Sequence, residues 1–145
     1  SPELPRSILP QIEDVEKVKT YFIYKFGGAV LTYGDMPARA LVPLQAMKDF
    51  DNAKIEDIVS NKSFVDSEIL ISKDNEIIDG HHRWAAALQV GKNTPLKVCK
   101  LAISAKKIIL LLKNLDIIKN TNNFELQHFT EEITFEYEYE KISRE

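Results

Sequence analysis

Cysteine is almost absent from this chain of 145 residues, and its scarcity excludes two classes of protein. The single thiol, Cys99, has no second cysteine in the chain with which to form a disulfide. The sequence contains no Cys-x-x-Cys pair and no cysteine and histidine cluster with zinc-finger spacing. It therefore excludes a domain held together by internal disulfides and a domain built around a cysteine-ligated zinc ion.

Long apolar runs and an excess of positive charge are also missing. No run approaches the ~20 apolar residues that a membrane-spanning helix needs. The net charge of -3 and the pI of about 5.7 argue against a protein that coats nucleic acid by bulk charge. No signal peptide is visible after Ser1. We therefore expect a cytoplasmic protein with no membrane partner.

The composition that remains, 44% hydrophobic and 28% charged, is typical of a folded domain. Apolar residues recur at helical spacing in some segments and alternate in others. Helices are predicted over residues 12–26, 52–60, 82–89 and 105–115, and strands over 29–33, 39–42, 68–72, 76–79 and 96–102. A turn is predicted at Gly34-Asp35, and Lys73-Asp74-Asn75 should close a hairpin. Residues 133–139 (ITFEYEY) fit a strand or an added helix.

The run Asp79-Gly80-His81-His82-Arg83 lies where the second hairpin strand ends and a helix begins. A glycine there allows backbone angles and a close ligand approach that a side chain would hinder. The first N–H groups of the helix lack partners within the helix, and an arginine presents a planar fork of donors. The histidines add donors whose charge is adjustable near neutral pH. Such a junction suits an anion such as a phosphate.

A simpler interpretation gives this run no function. Asp79 would cap the helix, and His82 and Arg83 would be surface residues; spacing alone does not decide between the two. Adjacent histidines do not match the i, i+4 pairing of helical zinc sites, so we expect no dedicated metal site.

The segment IIDGHHRWAAAL, preceded by a hairpin and by ALVPLQAMKDFDNAKIEDIV, resembles the ParB/sulfiredoxin superfamily over roughly residues 38–115. The DGHHR form is similar to that of free-serine kinases and of small stand-alone ParB-like proteins encoded by phages and mobile elements. The resemblance implies an α+β fold, a small mixed sheet flanked by helices. It also implies an N-terminal arm and helix (1–37), the ParB/sulfiredoxin-like domain (38–118) and an acidic C-terminal extension packed on it (119–145).

Site residues follow from the same resemblance. Gly80, His81, His82 and Arg83 match the superfamily's phosphate-binding turn, and Asp79 matches the aspartate of the DGHHR kinases. His81 is thereby also a candidate catalytic residue.

Other positions depart from the known patterns. Gln45 stands where the serine kinases have their catalytic glutamate, and a neutral amide cannot accept a proton from an attacking hydroxyl. Asp49, Asp51 or Asp79 are the candidates to replace that base. His81 also stands where sulfiredoxins have their reactive cysteine, which excludes that repair chemistry.

Three further residues, Gln11, Trp84 and Asp49, are candidates for the substrate side of the site. The resemblance implies nucleotide binding with phosphoryl chemistry, as in a phosphotransferase or NTPase. ATP or ADP is expected, with CTP as an alternative, and Mg²⁺ held through the phosphates with Asp79 assisting. The acceptor would be a hydroxyl-bearing small molecule or nucleic acid.

Two other functions stay open. A ParB-like nuclease would use Asp79, His81 and His82 with a divalent metal on DNA, and the lysine-rich stretch 97–119 is compatible with this function. A non-catalytic binding module of a phage or mobile element would have kept the fold and lost the base, which agrees with Gln45. The sequence leaves the oligomeric state open.

Overall fold

A computed structural model describes residues 9–10 and 12–118, with side chains as far as Leu115. The chain forms two compact units, one ending at Ala105 and the next beginning at Lys106. Gln11, the segment 133–139 and the whole acidic extension lie outside the described residues.

The first unit contains three helices and four strands among its described residues. In chain order they are α1 (Val15–Phe26), β1 (Leu31–Pro37), α2 (Asn52–Asn61), β2 (Glu68–Ile71), β3 (Ile77–Asp79), α3 (His81–Val90) and β4 (Pro95–Leu101). A fourth helix, α4 (Ala105–Ile118), begins at the boundary and lies almost entirely in the second unit. No helix in the described part of the chain is long and apolar enough to span a membrane.

The four strands form one mixed sheet in the order β1-β4-β2-β3. β1 runs antiparallel to β4, and β2 forms an antiparallel hairpin with β3. β2 and β4 are parallel, which requires a crossover between them, and β3 with α3 supplies it. This mixed sheet with its helices confirms the predicted α+β fold class.

The core of the first unit lies between this sheet and the pair of helices α2 and α3. The two helices pack on each other, and α3 also packs on β2 and β4. Both faces of β2 are covered, since Ile69, Leu70 and Ile71 are all buried. That explains the unbroken apolar run in this strand. The core cluster contains Ala38, Leu41, Ile55, Ile58, Phe64, Ile69, Ile71, Ile77, Trp84, Ala86, Ala87, Leu96 and Val98.

Two local predictions are wrong. Gly34 and Asp35 do not form a turn; they lie within β1, opposite Val98 and Lys97 of β4. Ladder hydrogen bonds to a neighbouring strand outweigh the local turn preference of the Gly-Asp pair.

The strand predicted at 39–42 is also absent. Ala38–Ala40 forms a short 3-10 helix, and Val42 makes only an isolated parallel bridge to Glu76. Pro43 follows immediately and has no N–H with which to extend a ladder. The other predicted helices and strands in this unit are present, with ends that differ by a few residues.

The indole of Trp84 links α3 to the short 3-10 helix at Ala38–Ala40. Trp84 is buried, and its Nε1–H donates to the Ala38 carbonyl at 2.9 Å. We predict that Trp84→Phe lowers the free energy of unfolding by roughly 1–3 kcal/mol, since the smaller ring fills less of the core and the Ala38 carbonyl loses one of its two donors, keeping only the N–H of Leu41. Urea denaturation followed by circular dichroism measures this, because Trp84 is the only tryptophan and its fluorescence is lost.

The matched control is Gln89→Ala on the exposed end of the same helix, where about 0.5 kcal/mol or less is expected. Equal effects of the two substitutions would contradict a structural role for the indole N–H.

Candidate functional site

The connection from β3 to α3 is a one-residue turn at Gly80. Its φ of 104° and ψ of 24° are left-handed, a conformation that L side chains rarely adopt. A Cβ at this position would come within 2.8 Å of Ile69 Cδ1 and 3.0 Å of Arg83 Nη2. Glycine is therefore required here both by the backbone conformation and by the space.

Gly80 is also the N-cap of α3, and as a glycine it offers no side-chain acceptor to the first turn. The first hydrogen bond that closes this turn runs from Trp84 N to the Gly80 carbonyl, at 3.0 Å. The preceding N–H groups of a helix have no acceptor inside it, and the helix dipole makes this end electropositive. The end of α3 at the turn is thus suited to an anion.

His81 is used as a hydrogen-bond acceptor. Its Nε2 accepts the backbone N–H groups of Leu44 at 3.1 Å and Gln45 at 3.2 Å. Burial, aided by the proximity of His82, lowers the pKa of His81 from 6.5 to about 4. The ring is therefore neutral at physiological pH, with its proton on Nδ1. His81 Nε2 therefore cannot be the predicted donor to a phosphate in this arrangement.

His82 also accepts a backbone N–H, from a residue a little further along the same segment as Leu44 and Gln45. Its Nε2 accepts the backbone N–H of Asp51 at 3.0 Å, and Asp51 is the N-cap of α2. The Phe50 ring packs on α3, with its centroid 5.4 Å from that of the His82 ring and 6.3 Å from that of the Trp84 ring. Together the two histidines fix the segment from Leu44 to Asp51 against the start of α3.

Arg83 folds back over Gly80 to Asp79. Its Nη2 donates to Asp79 Oδ2 at 3.1 Å, and both side chains are about one quarter exposed. Burial raises the pKa of the Asp79 carboxyl, while Arg83 and, more weakly, Lys54 act to lower it. The guanidinium is thus held at the turn, but it is engaged with a carboxylate in this state.

A cavity of about 400 Å³ opens at this turn. Its size is within the range of small-molecule and cofactor sites. The lining includes the whole predicted run from Asp79 to Arg83 together with Gln45. Apolar side chains from the N-terminal segment, α2 and β3 also line it: Leu9, Pro10, Ile12, Ile58 and Ile78.

The structure brings some of the other predicted site residues to this cavity and not others. Gln45 is buried, and its Nε2 donates to the Asp49 carbonyl at 2.8 Å, which fixes the amide. Trp84 belongs to the core cluster, and neither Trp84 nor Asp49 is among the residues that line the cavity. Gln11 lies outside the described residues.

Two polar lining residues, Lys54 and Ser63, were missed by the sequence analysis. Lys54 is in the first turn of α2, and Ser63 follows the end of that helix. Helical spacing would place Lys54 and Ile58 on one face of α2, but nothing in the sequence indicates that this face borders the turn.

The described residues contain no group of three or more histidine, cysteine, aspartate or glutamate side chains arranged to hold a metal ion. Asp79 is the only acidic residue lining the cavity among those described. One carboxylate fits Mg²⁺, which is commonly bound by one or two carboxylates together with phosphate oxygens.

Comparison with known proteins yields little. No protein-family model matches the sequence, and no curated protein matches it. Among solved structures, the C2221 form of a Pnob8-like ParB-N domain is similar to this chain, with 17% sequence identity and a TM-score of 0.44. The match covers 79% of this chain and 50% of that one, so this chain spans about half of the other's length.

Gly80→Ala should destabilise the protein, because it forces a left-handed alanine and a contact of 2.8 Å with Ile69. We expect a loss of about 2–4 kcal/mol in the free energy of unfolding, measured by urea denaturation. Gly34→Ala is the matched control, since a Cβ there meets nothing within 4 Å. A similar loss in both variants would show that the turn has no special requirement for glycine.

The lowered pKa of His81 predicts a loss of stability in acid. Below pH 6.5 the unfolded chain takes up a proton on His81, and the folded protein does so only near pH 4. The free energy of unfolding should therefore fall by about 3 kcal/mol between these values. His81→Gln, whose amide oxygen can still accept the two N–H groups without titrating, should show a flatter profile.

Denaturation of both proteins at a series of pH values measures the difference. Asp79, whose raised pKa acts in the opposite direction, is present in both and cancels in the comparison. Parallel pH profiles for the two proteins would contradict this account of His81.

Proposed function

We propose that the cavity at the β3–α3 turn binds the phosphate groups of a nucleotide. The observation that carries the proposal is the convergence of the N-terminus of α3, the Arg83 guanidinium and the Lys54 ammonium on one cavity of about 400 Å³. A helix N-terminus and cationic side chains are the groups that proteins use to bind phosphate. The resemblance of the DGHHR run to phosphate-binding turns supports the same assignment.

The apolar part of the lining supports a ligand that is more than a free phosphate ion. Leu9, Pro10, Ile12 and Ile58 offer surface on which a base or sugar can pack, while the turn takes the phosphates. The polar part of the lining is the larger one, which suits a ligand whose charged phosphates occupy much of the cavity. ATP or ADP is the proposed ligand, with CTP as the alternative nucleotide.

The proposed chemistry is phosphoryl transfer to a hydroxyl or to water. Positioning and charge stabilisation do most of the work in such reactions, so a small site is sufficient. Mg²⁺ would neutralise phosphate charge when bound, with Asp79 as its one protein ligand.

Alternatively, with Mg²⁺ held by phosphate oxygens alone, Asp79 is the proposed proton acceptor. Its pKa is raised by burial, and Arg83 is the main group that lowers it. If Arg83 turns to a phosphate, Asp79 loses that partner and becomes a stronger base. Gln45 has no such capacity, and its amide is already engaged with the Asp49 carbonyl.

The fixed Gln45 amide favours a second candidate, a module that binds a nucleotide without transforming it. The metal-dependent nuclease has less support. Nε2 of His81 and Nε2 of His82 each accept backbone N–H groups, and an imidazole nitrogen that accepts a hydrogen bond cannot also ligate a metal.

Nucleotide binding should raise the melting temperature, since a ligand of the native state stabilises it. A concentration of 100 times Kd adds about 2.7 kcal/mol, which corresponds to a rise of several degrees. We expect this rise with ATP, ADP or CTP in the presence of Mg²⁺, and we expect Arg83→Ala to abolish it. Arg39→Ala is the matched control, because Arg39 bonds Asn93 and does not line the cavity.

Release of inorganic phosphate, measured in the same samples, separates the enzyme from the binding module. A rise in melting temperature without phosphate release or transfer to any hydroxyl acceptor would favour the module. No rise with any nucleotide would contradict the proposed function.

A further inference from the structure

We propose that Lys54 binds a second phosphate of the ligand and makes the site selective for nucleoside di- and triphosphates over monophosphates. The inference rests on the proposed function and adds a residue that the DGHHR resemblance does not include. It concerns the wall of the cavity that α2 contributes, which consists of Lys54, Ile58 and, just beyond the helix, Ser63.

The two cations that line the cavity, Arg83 and Lys54, differ in their contacts. Arg83 is in an ion pair with Asp79 at 3.1 Å. Lys54 forms no ion pair with any described residue, and it is exposed. It lies near enough to Asp79 for its charge to act on that carboxyl, but it is not bonded to it. Its ammonium is therefore available to an incoming anion.

The backbone of Lys54 is positioned by two hydrogen bonds of Asp51. Asp51 caps α2 by accepting the backbone N–H of Lys54 at 3.2 Å. The backbone N–H of Asp51 itself donates to His82 Nε2 in the first turn of α3. Two short links thus tie the start of α2 to the start of α3. Lys54 is held at a fixed place beside the phosphate turn although it comes from another helix.

Arg83 and Lys54 together can take more than one anionic group. The N-terminus of α3 and Arg83 serve one phosphate, since both belong to the same turn. Lys54 approaches from a different helix and adds a point charge with three donors. A monophosphate offers one charged group, which the turn and Arg83 can hold by themselves, whereas a di- or triphosphate brings a further group that can pair with Lys54 at the same time. The lysine therefore distinguishes ligands by the length of the phosphate chain.

Binding of ATP, ADP and AMP at fixed Mg²⁺, with the cytidine series in parallel, tests the inference by titration calorimetry. For the wild type we expect ATP and ADP to bind at least about tenfold more tightly than AMP. Lys54→Gln should weaken binding of ATP and ADP about tenfold and change that of AMP less than about twofold. Lys54→Arg, which keeps the charge, should retain most of the preference.

Lys48→Gln is the matched control, since Lys48 is exposed nearby in sequence and does not line the cavity. Lys54 is exposed too, so its substitution should leave the fold intact, which circular dichroism checks. Equal wild-type affinity for AMP and ATP would overturn the inference while leaving nucleotide binding in place. An unchanged affinity for ATP in Lys54→Gln, or an equal loss for AMP and ATP, would also overturn it.

Absence of binding by all nucleotides to the wild type would remove the proposed function and this inference together. Failure of the inference alone and failure of the proposed function therefore give different results in this experiment.

Discussion

The site depends on two imidazole nitrogens that accept backbone N–H groups. The segment between Leu44 and Asp51 lies outside the four strands and contains an isolated β-bridge at Gln45 and a short 3-10 turn at Met47–Asp49, so the N–H groups of Leu44, Gln45 and Asp51 need other acceptors. His81 and His82, adjacent at the start of α3, provide them. One contact places Gln45 at the cavity, and the other places the start of α2. The two histidines at the β3–α3 turn therefore position the parts of the cavity lining that Gln45 and α2 contribute.

Much of this fold could be predicted from the sequence where the signal is local. The hairpin, the glycine break and the helix after it are encoded in adjacent residues, and all three are present. The strand through Gly34 and Asp35 could not be predicted in this way, because its stability comes from pairing with Lys97 and Val98, which are distant in sequence. Local turn chemistry is a reliable guide only where no tertiary pairing competes with it.

The candidate site shows the same division. The DGHHR run indicates an anion site, and the cavity is lined by all of it. The sequence shows what a histidine can donate or accept, but it does not show its partner. For both His81 and His82 the partner is a backbone N–H more than 30 residues earlier in the sequence. The position of Lys54 at the cavity was missed for the same reason, because it depends on which face of α2 borders the turn.

The pairing of β1 with β4 has a consequence for the order in which the protein is built. β1 is made early by the ribosome, but its only partner in the described sheet is a strand from the other end of the first unit. β4 also joins β1 to β2, so the sheet stays in two pieces until residues 95–101 have been synthesised. The β2–β3 hairpin and α3 form from neighbouring residues and can assemble first. The β3–α3 turn can therefore exist on the nascent chain before the sheet that supports it is complete.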